Sequence, residues 1–238
     1  INAHLRGLQR RELLPQDQEI CGYCDGTEVV QLRNVAPNGE TFCLTPQDAA
    51  IALQKAFVIW HTHTRKGWDT LSHADIGYAR AWAKPIYMVK PSNGLSDYYD
   101  PLELRPYEGR TWNWVYSNCW NLAQDYLLRE FGIKTSDHYK LTSANAYESP
   151  DWDMWRENLK TEGFYPVKLA DAQRGDLAVM AVKAPNPNHC GIIYSTEDNT
   201  LLHQLAGGLS RVVPFDNKWR SRLWPDKHVW RHKKAPRL

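Results

Sequence analysis

The chain has 238 residues, room for one large domain or two small ones. Hydrophobic residues make up 42% and charged residues 24%, an ordinary globular balance. A net charge of +2 is too mild to argue for a nucleic-acid partner, and no apolar run reaches the length of about 18 residues that a membrane span needs.

The opening INAHLRGLQRREL lacks the apolar centre of a signal peptide, so a chain that stays in the cytosol, or joins a particle assembled there, is expected. Five cysteines at irregular spacing, Cys21, Cys24, Cys43, Cys119 and Cys190, do not form a disulfide framework and are read as reduced thiols. Eleven Trp and twelve Tyr suit thick cores, an interface or a carbohydrate-like ligand, and composition leaves these open. The basic end RHKKAPRL (231–238) reads as a solvated terminus.

In chain order, residues 3–14 have helical spacing and stop at Pro15. Segments 19–24 and 27–33 read as strands joined by a turn at Asp25-Gly26. Thr45-Pro46 opens a helix over 46–55, with Thr45 as N-cap and Pro46 at the first helical position. AFVIW (56–60) is a buried strand, a helix begins at Ser72, and KPIYMVKP (84–91) is another strand. From Pro91 to Gly109 the chain is rich in Pro, Gly, Ser and Asp without periodicity, and reads as a linker. Beyond it, residues 118–133 form an amphipathic helix with Trp120, Ala123, Leu127 and Phe131 near one face and Gly132 capping its end. Strands follow at 176–182, 190–195, 200–205 and 210–215, separated by turns. The expectation is an α/β domain over residues 1–95, a linker at 96–108 and an α+β domain of helix on antiparallel meander over 109–238.

Two groups of residues carry chemistry. His61 and His63 sit at the end of a buried strand, where residues two apart share a face, so two imidazoles can converge on one metal ion with Asp75 as third ligand. Ser72-x-x-Asp75 equally fits a helix capping box, and the two readings stand side by side. Cys21-x-x-Cys24 reads as a pair of structural thiols, since no second pair matches it. In the second half, Cys119 begins a helix, where backbone N–H groups and the helix dipole favour a thiolate. His189 and His203 fall on candidate strands that the turn STEDN pairs antiparallel, which brings a base and an orienting group to one region. Strand alternation puts Cys190 on the face opposite His189, as a core residue. His138 has no assigned place.

The ordered set of Glu19, His61-x-His63 and Ser72-x-x-Asp75 resembles the JAMM (MPN-domain) metallopeptidases over about residues 1–90. That resemblance implies zinc held by His61, His63 and Asp75, Glu19 as general base and Ser72 stabilising an oxyanion. Eight residues, Thr64 to Leu71, separate His63 from Ser72, where the family pattern has about seven, and Thr64 stands where proline is frequent. The set of Cys119, Gly-Asp-Leu (175–177), His-x-Gly-Ile-Ile-Tyr (189–194) and His203, with Tyr107 upstream, resembles the NlpC family of papain-like cysteine peptidases over about residues 105–225. It implies Cys119 as nucleophile, His189 as base, His203 as its orienter and peptidoglycan stem peptides as substrate. Asn118 replaces the family's Asp, and Trp120-Asn121 replaces Ser-Gly.

The succession of the two domains resembles a family of tail-tip assembly proteins of lambda-like siphophages. It implies assembly in the host cytoplasm and residence in the virion tail tip. Its implied partners are other tail-tip proteins, including a tail assembly protein of ubiquitin-like fold. A structural adaptor or plug with vestigial or masked sites is the competing expectation.

Overall fold

The computed structural model describes Pro15 and residues 17–136, 154–225 and 227–236. The helix expected over 3–14 and His138 lie outside the described residues. The chain divides into two compact units, Ile1–Leu104 and Arg105–Leu238, each a mixed α/β arrangement with its own sheet.

The first unit is built on a five-stranded sheet, ordered β2-β1-β3-β4-β5. β1 (Cys21–Cys24) and β2 (Val29–Leu32) form a hairpin whose turn is tied by the Asp25 carboxylate, which accepts from the Thr27 and Glu28 amides, with Gly26 at φ 103°. Helix α1 (Pro46–Lys55) is capped by the Thr45 side chain with Pro46 at its start, as the sequence predicts. β3 (Val58–Thr62) is buried along its whole length and lies between β1, antiparallel, and β4 (Ile86–Lys90), parallel. A parallel pair needs a crossover, and helix α2 (His73–Trp82) supplies it. Cys21 and Cys24 are three apart on one strand and therefore face opposite sides of the sheet; both are fully buried, so they do not form a redox or metal pair.

One expectation is corrected here. The segment read as a linker contains β5 (Leu95–Tyr99), paired antiparallel with β4 from Ile86↔Tyr99 to Lys90↔Leu95. Gly94, at φ 71°, makes the turn into it. β5 is an edge strand, LSDYY, mostly exposed and polar, so it lacks the apolar alternation that marks a strand in sequence.

The second unit carries a six-stranded antiparallel sheet, ordered β10-β9-β8-β7-β11-β6. β7 (Leu177–Met180), β8 (His189–Ser195), β9 (Thr200–His203) and β10 (Arg211–Pro214) form the expected meander. Helix α3 (Cys119–Phe131) packs across it. Its buried face is Leu122, Ala123, Tyr126 and Leu127, rotated from the expected stripe, with Trp120 and Phe131 at the margins. Gly132, at φ 66°, ends the helix. Helix α4 (Met154–Glu162), β6 (Phe164–Lys168), a short helix α5 (Asn217–Arg220) and β11 (His228–His232) complete the unit and were not anticipated.

β11 corrects part of the reading of the basic end as solvated: Arg231 and His232 lie on the strand, whereas Lys233 and Lys234 beyond it are exposed as expected. Arg231 lies on β11 and grips Asp176 with two hydrogen bonds of 2.8 Å, Nε to Oδ1 and Nη2 to Oδ2. Asp176 is 1% exposed. The Gly-Asp element therefore fastens β7 to the last strand, and Gly175, at φ 91°, admits the Phe131 ring where a Cβ would come within 2.3 Å of it. Asp176→Ala leaves the Arg231 guanidinium without its anionic partner, with only the Asp171 carbonyl to accept from it, and is expected to cost the second unit about 3 kcal/mol. Urea unfolding measures this, and Asp176→Asn, which keeps one acceptor, should lose less.

Candidate functional sites

In the first unit, the sheet and α2 bring three ligand-type side chains together. His61 occupies a central strand, opposite Cys21 on β1 and Met88 on β4, and is fully buried. His63 follows two residues on, past the strand end, and is 5% exposed. The His61 and His63 Nε2 atoms are 3.0 Å apart. Asp75 Oδ1 lies 3.3 Å from His61 Nε2 and Oδ2 3.5 Å from His63 Nε2. One ligand atom from each of the three lies within 4.8 Å of the others.

The proton positions suit a ligand role. His63 Nδ1 is 2.7 Å from the Trp68 carbonyl, which only accepts, so Nδ1 carries a proton and Nε2 is the ring atom turned into the cluster, where it meets the Asp75 carboxylate and becomes a ligand once it gives up its own proton. The loop supplying that carbonyl is the eight-residue spacer. Lys90, buried on β4, donates to the Gly67 carbonyl at 2.6 Å and to Asp69 at 2.7 Å, and the Leu71 amide donates to Asp97. The longer spacer is thus an anchored loop that orients His63, and the lysine ending the apolar strand IYMVK was the sequence signal for it.

The capping box and the cluster coexist. Asp75 Oδ2 accepts from the Ser72 amide at 2.6 Å, and Ser72 Oγ accepts from the Asp75 amide at 3.3 Å. The cap fixes the angle at which the carboxylate meets both imidazoles. Burial would raise the Asp75 pKa, but the charge and hydrogen bond of His61 and the hydrogen bonds of His63 and Ser72 override it and hold it well below the usual range. Glu19, just before β1, is 4% exposed and close enough to feel His63 and Asp75. Burial first, then the Asp75 and Glu40 charges, push its carboxyl up to about 8 against the pull of His63.

In the second unit, Asn118 caps α3, accepting from the Trp120 and Asn121 amides at 2.9 and 3.1 Å, while Asn121 reaches back to the Asn118 amide. Asparagine serves this cap as aspartate would. Cys119 is the first helical residue, half-buried, over the start of β8. Its thiol is hydrogen-bonded to the Cys190 thiol and to His189. The Cys190 hydrogen bond, followed by that of His189 and the His189 charge, outweighs burial and lowers the Cys119 pKa well below the ordinary thiol value. Gly191 pairs with His203 across β8 and β9, so the antiparallel register delivers both histidines to one face. His189 Nε2 lies 3.1 Å from His203 Nδ1. His189 is thereby held by its Nε2, leaving Nδ1 for the cysteine. The His203 ring packs edge-on against Trp219 with centroids 4.4 Å apart.

Alternation along β8 holds as expected: Cys190 and Ile192 enter the core under α3, and Ile193 enters the core on the other face. Tyr107 is not at this site. Its hydroxyl donates to Glu130, and its ring packs on Tyr126 and beneath Arg129, toward the far end of α3 from Cys119.

No family model matches the chain. Over 189 residues, 77% of this chain and 74% of the relative, it is 29% identical to tail tip assembly protein K of Escherichia phage N15. Over 131 residues, 52% of this chain and 58% of the relative, it is 29% identical to tail tip assembly protein K of Escherichia phage lambda. The chain is similar to phage tail tip assembly proteins. Among the described residues, no helix is long and apolar enough to cross a membrane.

In this relative of the tail tip assembly proteins, the Cys-His-His cluster has a pH signature. Burial, then the neighbouring charges of His189, Arg211 and Lys218, lower the His203 pKa to about 3. The unfolded chain takes up this proton near 6.5 and the folded chain does not, so the stabilising contribution is present above about 6.5 and is lost as pH falls toward 3. His203→Asn is expected to flatten the stability–pH slope of the second unit over that range, read by thermal unfolding from pH 7 to 4. His232, also lowered by burial, leaves a residual slope of the same sign. An unchanged slope would show that His203 titrates normally in the fold.

Proposed function

We propose that the chain is a tail-tip component that also hydrolyses peptides. The observation that carries this reading is the hydrogen-bonded series Cys119, His189, His203, with the cysteine at a helix start and its pKa depressed. This is the constellation of an NlpC-type cysteine peptidase. His189 holds the proton released by Cys119 and returns it to the leaving amine. His203, neutral and buried, keeps the imidazole turned toward the thiol. The thiolate attacks an amide carbonyl, the C–N bond breaks, and water hydrolyses the acyl-enzyme. Peptidoglycan stem peptides are the substrate class.

The first unit supports a JAMM-type metallopeptidase site. Two imidazoles and one carboxylate match the donor set of catalytic zinc, and the Trp68 carbonyl holds His63 Nδ1 so that Nε2 faces the cluster. A zinc ion held by His61, His63 and Asp75 would supply Lewis-acid activation of water and of a peptide carbonyl. Glu19, buried beside His63 and Asp75 with its carboxyl pushed up to about 8, accepts a proton and passes it to the leaving group. Ser72 lies at the same helix start as Asp75, and the family resemblance gives it the oxyanion role.

The partners proposed are other tail-tip proteins, among them a tail assembly protein of ubiquitin-like fold. The reading has the chain assembled in the host cytoplasm and carried in the virion tail tip. The names of the two relatives favour a second reading, that the chain serves mainly as a structural adaptor with masked or vestigial sites. One experiment separates the two. The purified chain is alkylated with iodoacetamide and given stem peptides. Under the peptidase reading, modification of Cys119 and loss of cleavage proceed together. A chain that never cleaves, or cleaves equally after alkylation, removes the cysteine assignment.

A further inference from the structure

Cys190 forms no covalent bond in the reaction just described, yet its thiol is hydrogen-bonded to the nucleophile and helps to depress its pKa. Both cysteines are free. Cys190 is fully buried beneath α3, and its side chain is hydrogen-bonded to Cys119 Sγ. Cys119 is partly buried at the head of α3 and Cys190 is fully buried, so of the two thiols Cys119 is the one nearer to solvent. The remaining cysteines, Cys21, Cys24 and Cys43, belong to the other unit. Within its own unit Cys119 therefore has one thiol partner, already in contact with it.

We infer that Cys119 and Cys190 form a peroxide-sensitive thiol pair, in which Cys190 captures an oxidised Cys119 as a reversible disulfide. The inference rests on the reading of Cys119 as a reactive nucleophile. The Cys119 thiolate attacks one oxygen of a hydroperoxide, here hydrogen peroxide. The S–O bond forms, the O–O bond breaks, and the departing hydroxide is protonated to water. Cys119 has lost two electrons to the peroxide and is a sulfenic acid. The Cys190 sulfur then attacks the Cys119 sulfur. The S–S bond forms as the S–O bond breaks, and the departing hydroxide takes the Cys190 proton as a second water. A dithiol reductant restores both thiols by exchange. Burial, then the Cys119 hydrogen bond and charge, raise the Cys190 pKa well above that of an ordinary thiol, so Cys190 is not the thiol that reacts first with peroxide. Capture in the disulfide keeps Cys119 from the irreversible sulfinic and sulfonic acids.

The test uses the full chain. It is treated with hydrogen peroxide, quenched, digested without reduction and examined by mass spectrometry. In parallel, the rate of iodoacetamide alkylation at Cys119 is measured before oxidation. The expected result is a peptide pair linked through Cys119 and Cys190, loss of iodoacetamide labelling at Cys119, and recovery of labelling with dithiothreitol. In Cys190→Ala, Cys119 is expected instead to give a dimedone adduct and then sulfinic acid, with no recovery. If wild-type Cys119 alkylates rapidly and goes to sulfinic acid with no linked peptide, the pair is not a redox device, although the nucleophile stands. If Cys119 reacts with neither iodoacetamide nor peroxide, both readings fall.

Discussion

Cys119→Ala is expected to lower hydrolysis of peptidoglycan stem peptides by at least about 10³-fold, because no other described group at the site forms the acyl intermediate. Alanine is a good helix former, and Cys119 is only partly buried at the first position of α3 with the Asn118 cap untouched, so the variant keeps its fold. His189→Ala should approach the same loss, since it removes both the group that takes the thiol proton and one source of the depressed Cys119 pKa. His203 acts through His189, so His203→Asn, which keeps a hydrogen-bonding group near His189 Nε2, should retain more activity than His203→Ala. Product peptides from purified cell-wall sacculi, separated and identified by mass, give the rates, and circular dichroism verifies folding. If Cys119→Ala cleaves at the wild-type rate, the second unit does not work as a cysteine peptidase, and the structural reading of the tail-tip relative remains.

The second large effect is expected on metal. The wild-type chain should hold about one zinc ion, and added zinc should raise the unfolding temperature of the first unit. At a thousandfold excess over the dissociation constant the stabilisation is about 4 kcal/mol. Asp75→Asn separates the two duties of this side chain. An asparagine oxygen still accepts from the Ser72 amide and preserves the cap, whereas the anionic ligand is lost. The variant should therefore keep most of the metal-free stability and lose the response to zinc. His61→Ala should lose the response too. Elemental analysis with calorimetry, before and after chelation, provides both readouts. A wild-type chain that takes up no zinc at any stage would make the cluster a buried His–Asp network that serves packing alone.

Much of the local structure was legible in the residues. Thr45-Pro46 announced α1, Ser72-x-x-Asp75 announced α2, and the apolar stripe with Gly132 announced α3 and its end. The buried strands β3, β4, β7 and β8 declared themselves as short apolar runs. Strands β5 and β11 were hidden for opposite reasons. β5 lies at a sheet edge and has little apolar surface to show. β11 lies inside its sheet, but it ends in charged residues because Arg231 is neutralised by Asp176, a partner distant in sequence.

The sequence by itself determined which residue types were available at each end of the chemistry: two histidines and an acid near a helix start, and a cysteine at the head of an amphipathic helix. Capping, turn preference and apolar periodicity act over a few residues, so they can be read without a fold. Only the tertiary structure decided that Asp75 caps its helix and faces both imidazoles at once, that the Trp68 carbonyl sets the His63 tautomer, and that His203 stands behind His189. It alone placed the Cys190 thiol against Cys119 and Tyr107 away from it. These outcomes depend on strand register and on the angle at which a helix crosses a sheet, both set by the packing of whole cores. Proton affinity follows from the same source, since burial and neighbouring charge, which shift it, exist only once the chain has folded.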